Sequence, residues 1–337
     1  MKKHVNIPVF VPHLGCPNDC VFCDQRQISG HKSFDIGDAR REIEEVLACV
    51  SDAAEKEIAF FGGSFTGIDR GLFLSLCALG KEYTDKGGVG SLRCSTRPDY
   101  INGEILDLLV SYGFEAVELG VQSADDAVLS LCKRGHCVAD TEHACHLIRE
   151  HGLRLGGQMM IGLPGSSRKS ERRTAEFICA MGAAEARVYP TVVFPNTELC
   201  RMYERGEYTP LGVEEAAERT ADVLEIFDKH GVKVLRVGLC ESEGLRRAVA
   251  GPSAPDMGER AMSRVFLRRA LEEFAELGIS GGDAVIEVGV GQTSKMCGHR
   301  KENTRKIQEK FIFNTLKVIE KTDIIGYNIK VKVLIGR

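Results

Sequence analysis

Three cysteines near the amino end are spaced to share one inorganic partner. The segment Gly15-Cys16-Pro17-Asn18-Asp19-Cys20-Val21-Phe22-Cys23 reads C-x3-C-x2-C, a spacing that sets this trio apart from the chain's other thiols. A loop carrying Pro, Asn and Asp can wrap three thiolates around one face of a cubane, and iron–sulfur clusters are held by such thiolates. Three protein ligands leave the fourth iron open, much as a catalytic zinc keeps one position free. Two other readings stand beside this one. A zinc ion would recruit His13 or His31 as a further ligand, and inert thiols would share the spacing by accident.

Cysteine usage points the same way. Thirteen cysteines in 337 residues is an odd and high number. A disulfide framework belongs to short secreted chains, whereas a reducing compartment keeps thiols free for metals or catalysis. Cys49, Cys77, Cys145 and Cys179 lie in helical stretches among apolar and small residues, where cysteine is expected to pack as a small hydrophobe.

The elements that must position the trio alternate. Up to about residue 238 short β-rich runs follow one another: Val5–Val11, Glu57–Phe61, Ser91–Thr96, Ala116–Gly120, Leu153–Ile161, Ala186–Phe194 and Val232–Val237. Between them lie helical patterns at Asp38–Val50, Gly71–Thr84, Gly103–Tyr112, Asp140–His151, Ser170–Met181 and Glu214–His230. Strands separated by helices of this length predict right-handed crossovers and a parallel sheet. Six or seven such units suit a full or partial (β/α) barrel, whose chemistry sits at the carboxyl ends of the strands.

Polar and glycine-rich motifs fall at those ends. Gly62-Gly63-Ser64 follows the second strand, Ser95-Thr96-Arg97-Pro98-Asp99 ends the third, Gly120-Val121-Gln122-Ser123 the fourth, and Gly162-Leu163-Pro164-Gly165 the fifth. Glycines there permit positive φ and close backbone approach to a ligand. Lys133-Arg134-Gly135-His136 follows a short helix, and a guanidinium fork fits a carboxylate. The plain alternatives are a tight turn for the glycines, a buried polar pair for Arg97 and Gln122, a surface arginine for Arg134 and a satisfied loop histidine for His136. Met159 and Met160 read as core.

Gly251-Pro252-Ser253-Ala254-Pro255 marks a loop and a boundary. The expected division is residues 1–240 as the barrel and 241–337 as a small basic α/β appendage. The appendage would hold a helix (Gly258–Leu277), a strand (Ala284–Val290), a basic helix (Cys297–Phe311) and a β-rich end (Ile324–Ile335). Net charge is −4 overall, yet Thr293 to Arg337 carries +7, leaving −11 on the rest. A basic tail on an acidic body fits a polyanionic partner, or a solvated charged face. No apolar run approaches the roughly 20 residues of a membrane helix, and no signal-peptide pattern opens the chain. A cytoplasmic location with no membrane partner is expected.

With Phe22 before its last cysteine, the triplet resembles the signature of the radical S-adenosylmethionine (SAM) superfamily. That resemblance implies a [4Fe–4S] cluster on Cys16, Cys20 and Cys23, with SAM chelated at the open iron. One electron then cleaves SAM to methionine and a 5′-deoxyadenosyl radical that abstracts hydrogen from substrate. It also implies an electron donor of flavodoxin or ferredoxin type. The Gly62-Gly63-Ser64 turn would bind the SAM amino group, with Ser64 where the family usually has an acid. Ser95, Arg97 and Gln122 would hold the ribose, the carboxylate or the substrate, Arg134 the carboxylate, and Gly162 the cavity wall near adenine.

The strand-end motifs, with Val188-Tyr189-Pro190-Thr191-Val192 and Asn196-Thr197-Glu198-Leu199 leading to Gly206-Glu207-Tyr208, resemble the radical SAM domain of the Elongator catalytic subunit. That resemblance covers roughly residues 5–240, extends weakly through 251–266 and 294–303, and implies tRNA as substrate. The cysteines are more compact than Elongator's, and its acetyltransferase domain has no room here. Lys295, His299, Arg300, Lys301, Arg305 and Lys306 would contact phosphates, while Ile307 and Phe311 face inward. Three alternatives remain: a porphyrinogen-oxidase-like enzyme, which usually adds a cysteine where Gln25 stands; a cluster-bearing RNA-binding protein without turnover; and a zinc protein.

Overall fold

The computed structural model describes residues 4–11, 16, 20–23, 34–51, 53–239, 241 and 243–334. Seven strands form the main sheet: β1 (His4–Val11), β2 (Glu55–Gly62), β3 (Ser91–Thr96), β4 (Phe114–Gln122), β5 (Arg154–Ile161), β6 (Glu185–Pro190) and β7 (Lys233–Val237). They pair in sequence order, every pair parallel. No pairing joins β1 to β7 among the described residues, so the barrel is partial and open. Pro8 has no N–H to give, which suits β1 as an edge strand.

The intervening helices are α1 (Ile36–Cys49), α2 (Arg70–Asp85), α3 (Gly103–Ser111), α4 (Asp126–Leu131), α5 (Val138–Glu150), α6 (Arg168–Ala180), α7 (Glu198–Glu204) and α8 (Val213–Lys229). Asp35, Asp69, Asn102, Asp125, Ser167 and Thr197 cap six of them through side-chain oxygens, each worth about 1 kcal/mol. The strands' outer faces bury Ile7, Val9, Ile58, Phe60, Leu92, Val117, Leu155 and Val188 under these helices. The helix at Glu198–Glu204 has no counterpart in the sequence reading, and the sixth strand ends at Pro190 rather than Phe194.

The inner face is ionic. Arg93 on β3 is 1% exposed and donates to Glu57 on β2 (2.5 Å), Glu118 on β4 (2.8 Å) and Glu185 on β6 (2.9 Å). Arg187 on β6 grips Glu118 with two further bonds, 2.5 and 3.1 Å. Burial alone would raise the Glu118 carboxyl, but the two arginines outweigh it and hold it below the ordinary carboxylate range. Residues two apart share a strand face, so these charges line the barrel beneath the strand ends that carry Ser95, Arg97 and Gln122.

The appendage follows α9 (Glu243–Arg246). It comprises α10 (Met257–Glu276), β8 (Asp283–Gly289), α11 (Thr293–Cys297), α12 (Glu302–Phe311), β9 (Thr315–Lys321) and β10 (Ile329–Leu334). Its sheet runs β10-β8-β9, with β8 and β9 parallel and β10 antiparallel to β8. Ile307 and Phe311 face inward as expected, joining Phe266, Phe274, Ile286 and Val288 in a second core. An ion-pair ladder ties α10 to α8: Arg268 to Glu218 and Asp222, Arg269 to Asp228. The single basic helix expected over Cys297–Phe311 is broken, because Gly298, Arg300 and Lys301 all take positive φ. Strand β9 was hidden by its exposed alternation. No helix among the described residues is long and apolar enough to cross a membrane.

Candidate functional site

The turn after β2 is built around close approach. Gly62 has φ +110, and a Cβ there would lie 2.1 Å from the Val11 carbonyl oxygen. Phe65 anchors the other side, its ring stacked on Phe60 at 4.8 Å. Ser64, fully buried, is hydrogen-bonded to Thr96 Oγ1 at 2.7 Å and accepts from Arg97 N at 3.4 Å. Its hydroxyl therefore ties β2 to β3. Gly62→Ala is expected to cost about 3 kcal/mol or more, from positive-φ strain plus overpacking. Gly103→Ala, at a helical position with open space around it, should not lower the urea midpoint and should raise it slightly.

Next to this turn stand two buried guanidinium groups. Arg97 donates to both carboxylate oxygens of Asp99 (2.9 and 2.8 Å) and to the Arg134 carbonyl (2.5 Å). Arg134 in turn donates to Cys20 Sγ at 3.2 Å and to the Gly120 carbonyl at 2.7 Å. Arg97 Nη1 is buried without a hydrogen-bond partner among the described residues, and so is Gln122 Oε1. Gln122 itself has φ +64, with Ser123 N bonded to Val121 O at 2.8 Å. That is a γ-turn of the rare, strained kind, and such strain clusters at functional sites. Ser95 lies buried near the end of β3, two residues before Arg97. His136 is also buried, 3.9 Å from Asp99; burial, then Arg134 and Arg97, push its ring down to about 4.

The described part of the cysteine loop is docked on the strand ends. Val21 donates to the Cys132 carbonyl (3.2 Å), and its own carbonyl accepts from Leu199 N (2.7 Å). The Val21 side chain is buried with Val128, Leu163, Leu199 and Tyr208, and Phe22 and Met160 pack against that cluster. Gly162, at φ +78, is braced from both sides: its N–H donates to Glu171 (2.7 Å) and its carbonyl accepts from Tyr208 (2.7 Å). Cys20 is buried, whereas Cys16 and Cys23 are half-buried. Burial pushes the Cys16 thiol up, while the nearby Arg97 and Arg134 charges pull against it.

Cys16, Cys20, Arg97 and Arg134 are thus brought together, with Gly120 and Gln122 alongside: a Cβ on Gly120 would lie 3.1 Å from Gln122 Nε2 and 3.3 Å from Arg134 Nη2. The three thiols are not drawn into a coordinating set; among the described residues no three Cys, His, Asp or Glu side chains are grouped to hold a metal. His13, His31, Gln25 and Pro17–Asp19 lie outside the described residues. The donor chemistry fits a cluster with an organic ligand beside it: soft sulfurs, two cations, and a buried donor and acceptor with no partner among the described residues. The other thiols behave differently. Burial pushes Cys77, Cys132 and Cys145 up to about 12, as inert core thiols. Cys49, expected to be packed, is exposed and Cys179 half-buried. Val21, Asp99 and Tyr208 were not singled out as site residues, although all three stand inside motifs that the sequence displays.

Comparison with known proteins agrees with this geometry. Residues 10–178 match the Radical SAM superfamily and residues 184–266 the Radical_SAM C-terminal domain. A tRNA uridine(34) acetyltransferase of Methanocaldococcus infernus is 38% identical over 146 residues, covering 41% of this chain and 27% of that protein. An uncharacterized protein of Methanocaldococcus jannaschii is 30% identical over 236 residues, covering 66% of this chain and 72% of that one. The chain therefore spans about a quarter of the acetyltransferase's length. The archaeal Elp3 of M. infernus shares the fold, with a TM-score of 0.63 at 23% identity over 82% of this chain and 64% of that one. With half its length under the family model and Cys20 held by Arg134 at the strand ends of an open parallel barrel, the chain belongs to the radical SAM superfamily of enzymes, whose cofactors are a [4Fe–4S] cluster and S-adenosylmethionine.

Proposed function

We propose that this enzyme is an Elongator-like radical SAM enzyme acting on tRNA, with Cys16, Cys20 and Cys23 holding the cluster. The observation that carries the site is the run Asp99–Arg97–Arg134–Cys20, which sets two cations beside the thiols and leaves Arg97 Nη1 without an acceptor among the described residues. With cluster and SAM bound, the site supplies a 5′-deoxyadenosyl radical able to abstract hydrogen from the substrate. The chain's own residues orient the parts. Arg134 steadies the Cys20 sulfur by a charge-assisted bond. Arg97 Nη1 and Gln122 Oε1, with Ser95, offer a donor and acceptors to the carboxylate and ribose of SAM. Because the Ser64 hydroxyl is engaged, the carbonyls of the Gly62-Gly63-Ser64 turn serve the amino group. Gly162 and Phe22 complete the apolar wall.

Residues 1–240 form the catalytic unit in this reading, and 241–337 meet the RNA. An electron donor of flavodoxin or ferredoxin type reduces the cluster, in the cytoplasm. The likeness to tRNA uridine(34) acetyltransferases supports tRNA as substrate, and so does the basic appendage. Binding of tRNA is expected to fall about a thousandfold between about 50 and about 200 mM salt if some six phosphates are contacted. Salt-insensitive or absent binding would remove the RNA substrate. Mass spectrometry of tRNA nucleosides from cells lacking the gene tests it in vivo: one modified nucleoside should disappear.

A further inference from the structure

Helix α11 stops at Gly298, whose φ of +75 and close neighbour Asn303 (2.9 Å from an added Cβ) exclude a side chain. Two residues on, Arg300 and Lys301 take left-handed conformations in succession, φ 49 and 62. Each costs about 1–3 kcal/mol and survives only where the surroundings enforce it. Asn303 is the enforcer. Wholly buried, it donates through Nδ2 to Ser263 O and Oγ (both 2.9 Å) on α10 and to Met296 O (3.1 Å) on α11. Thr304 Oγ1 adds a bond to the Lys301 carbonyl at 2.9 Å.

What this strained turn displays is bare positive charge. The arginines of α10 have found carboxylates: Arg260 has Asp256 and Glu214, Arg264 has Glu218 and Glu302, Arg268 has Glu218 and Asp222. On α12, Lys306 is paired with Glu302. His299, Arg300 and Lys301 are exposed, and none forms an ion pair among the described residues. Two cations at consecutive positions, Arg300 and Lys301, are thus held out on a braced turn, with the His299 ring beside them.

We propose that the Gly298-His299-Arg300-Lys301 turn clamps the sugar–phosphate backbone of a single-stranded stretch of RNA. Two short helices meeting at a glycine-led four-residue turn, packed on a three-stranded sheet, is the layout with which KH modules grip such a backbone. Here Lys301 stands in left-handed conformation where those modules have their second glycine, exchanging strain for a cation. A duplex is the poorer fit. Readers of double-stranded RNA spread contacts over about 16 base pairs and two grooves, whereas this turn is a single compact point. The inference rests on the reading of the enzyme as RNA-acting and names the feature of the RNA it holds.

The test uses the full chain and fluorescence anisotropy with labelled oligouridine and with a blunt RNA duplex. In Arg300→Asn/Lys301→Asn the new residues tolerate left-handed backbone, so the turn should persist. Oligouridine affinity should fall at least tenfold, duplex affinity much less, and the salt slope should shrink by about 1.4 for two single-strand contacts. Lys301→Gly removes one charge while relieving strain; it should melt no lower than the parent and still bind several-fold more weakly. Wild-type protein that ignores oligouridine, variants that bind it unchanged, or equal losses on duplex would each overturn the proposal. SAM cleavage without RNA, measured on the same proteins, should be unaffected; its absence from the wild type would sink the enzymatic reading and leave the binding result standing.

Discussion

Cys20→Ala is expected to fold yet retain no more than about a hundredth of the wild-type acid-labile sulfide after anaerobic reconstitution, and Cys16→Ala and Cys23→Ala should behave alike. Iron–sulfur clusters are held by cysteine thiolates, and losing one of three leaves too few to retain the cubane. The fold should survive because the loop is docked through Val21, whose backbone bonds to Cys132 and Leu199 and whose apolar packing do not use the Cys16, Cys20 or Cys23 thiols. Cys77→Ala and Cys145→Ala are the controls: burial pushes both thiols up to about 12, and their removal should leave iron and sulfide unchanged. Iron and sulfide assays on the five proteins check the prediction. Full sulfide in any of the three ligand variants would contradict the assignment.

The second large effect concerns stability. Arg93→Leu removes the cation shared by three buried carboxylates, leaving Glu118 to Arg187 alone and Glu57 and Glu185 to the longer contacts of Arg154. Removing one partner of a buried ionic group costs about 3–5 kcal/mol, a large share of the roughly 5–15 kcal/mol that holds a protein folded. Lysine should rescue little, since a single ammonium cannot reproduce the fork that reaches three strands. Urea denaturation reads the loss as a lower midpoint. Acid should mimic the substitution. Glu118 is held below the ordinary carboxylate value of 4.5, so its contribution is complete above about 4.5 and drains away as pH falls through the folded value. An Arg93→Leu midpoint equal to the parent's would mean that the ionic layer contributes nothing.

The barrel was legible because its strands and helices alternate with the right lengths and because the strands' outer faces are apolar. The cysteine triplet was legible because the chemistry demands one residue type at fixed spacing within one loop. The ionic layer was not recognised, although Arg93, Ser95 and Arg97 alternate along β3 and Glu118, Gly120 and Gln122 along β4. A period-two polar stripe reads as a solvent face until closure of the sheet turns that face inward. The break at Gly298 escaped because a helical periodicity spans it; only the strand-like tail beyond and the buried grip of Asn303 force the turn. Cys49 was misjudged since an apolar neighbourhood in sequence does not fix which face of α1 a residue occupies. Arg97 and Arg134 were singled out separately, but their coupling through Asp99 and a main-chain carbonyl depends on contacts across 37 residues, which no local pattern encodes.

Reductive cleavage of SAM by this chain is the activity from which every role given to the site residues follows. Wild-type protein, reconstituted anaerobically with iron and sulfide and then reduced with SAM present, is predicted to release 5′-deoxyadenosine in amounts that grow with time and vanish without reductant. One zinc per chain with no labile sulfide, or an intact cluster that yields no 5′-deoxyadenosine, would contradict it.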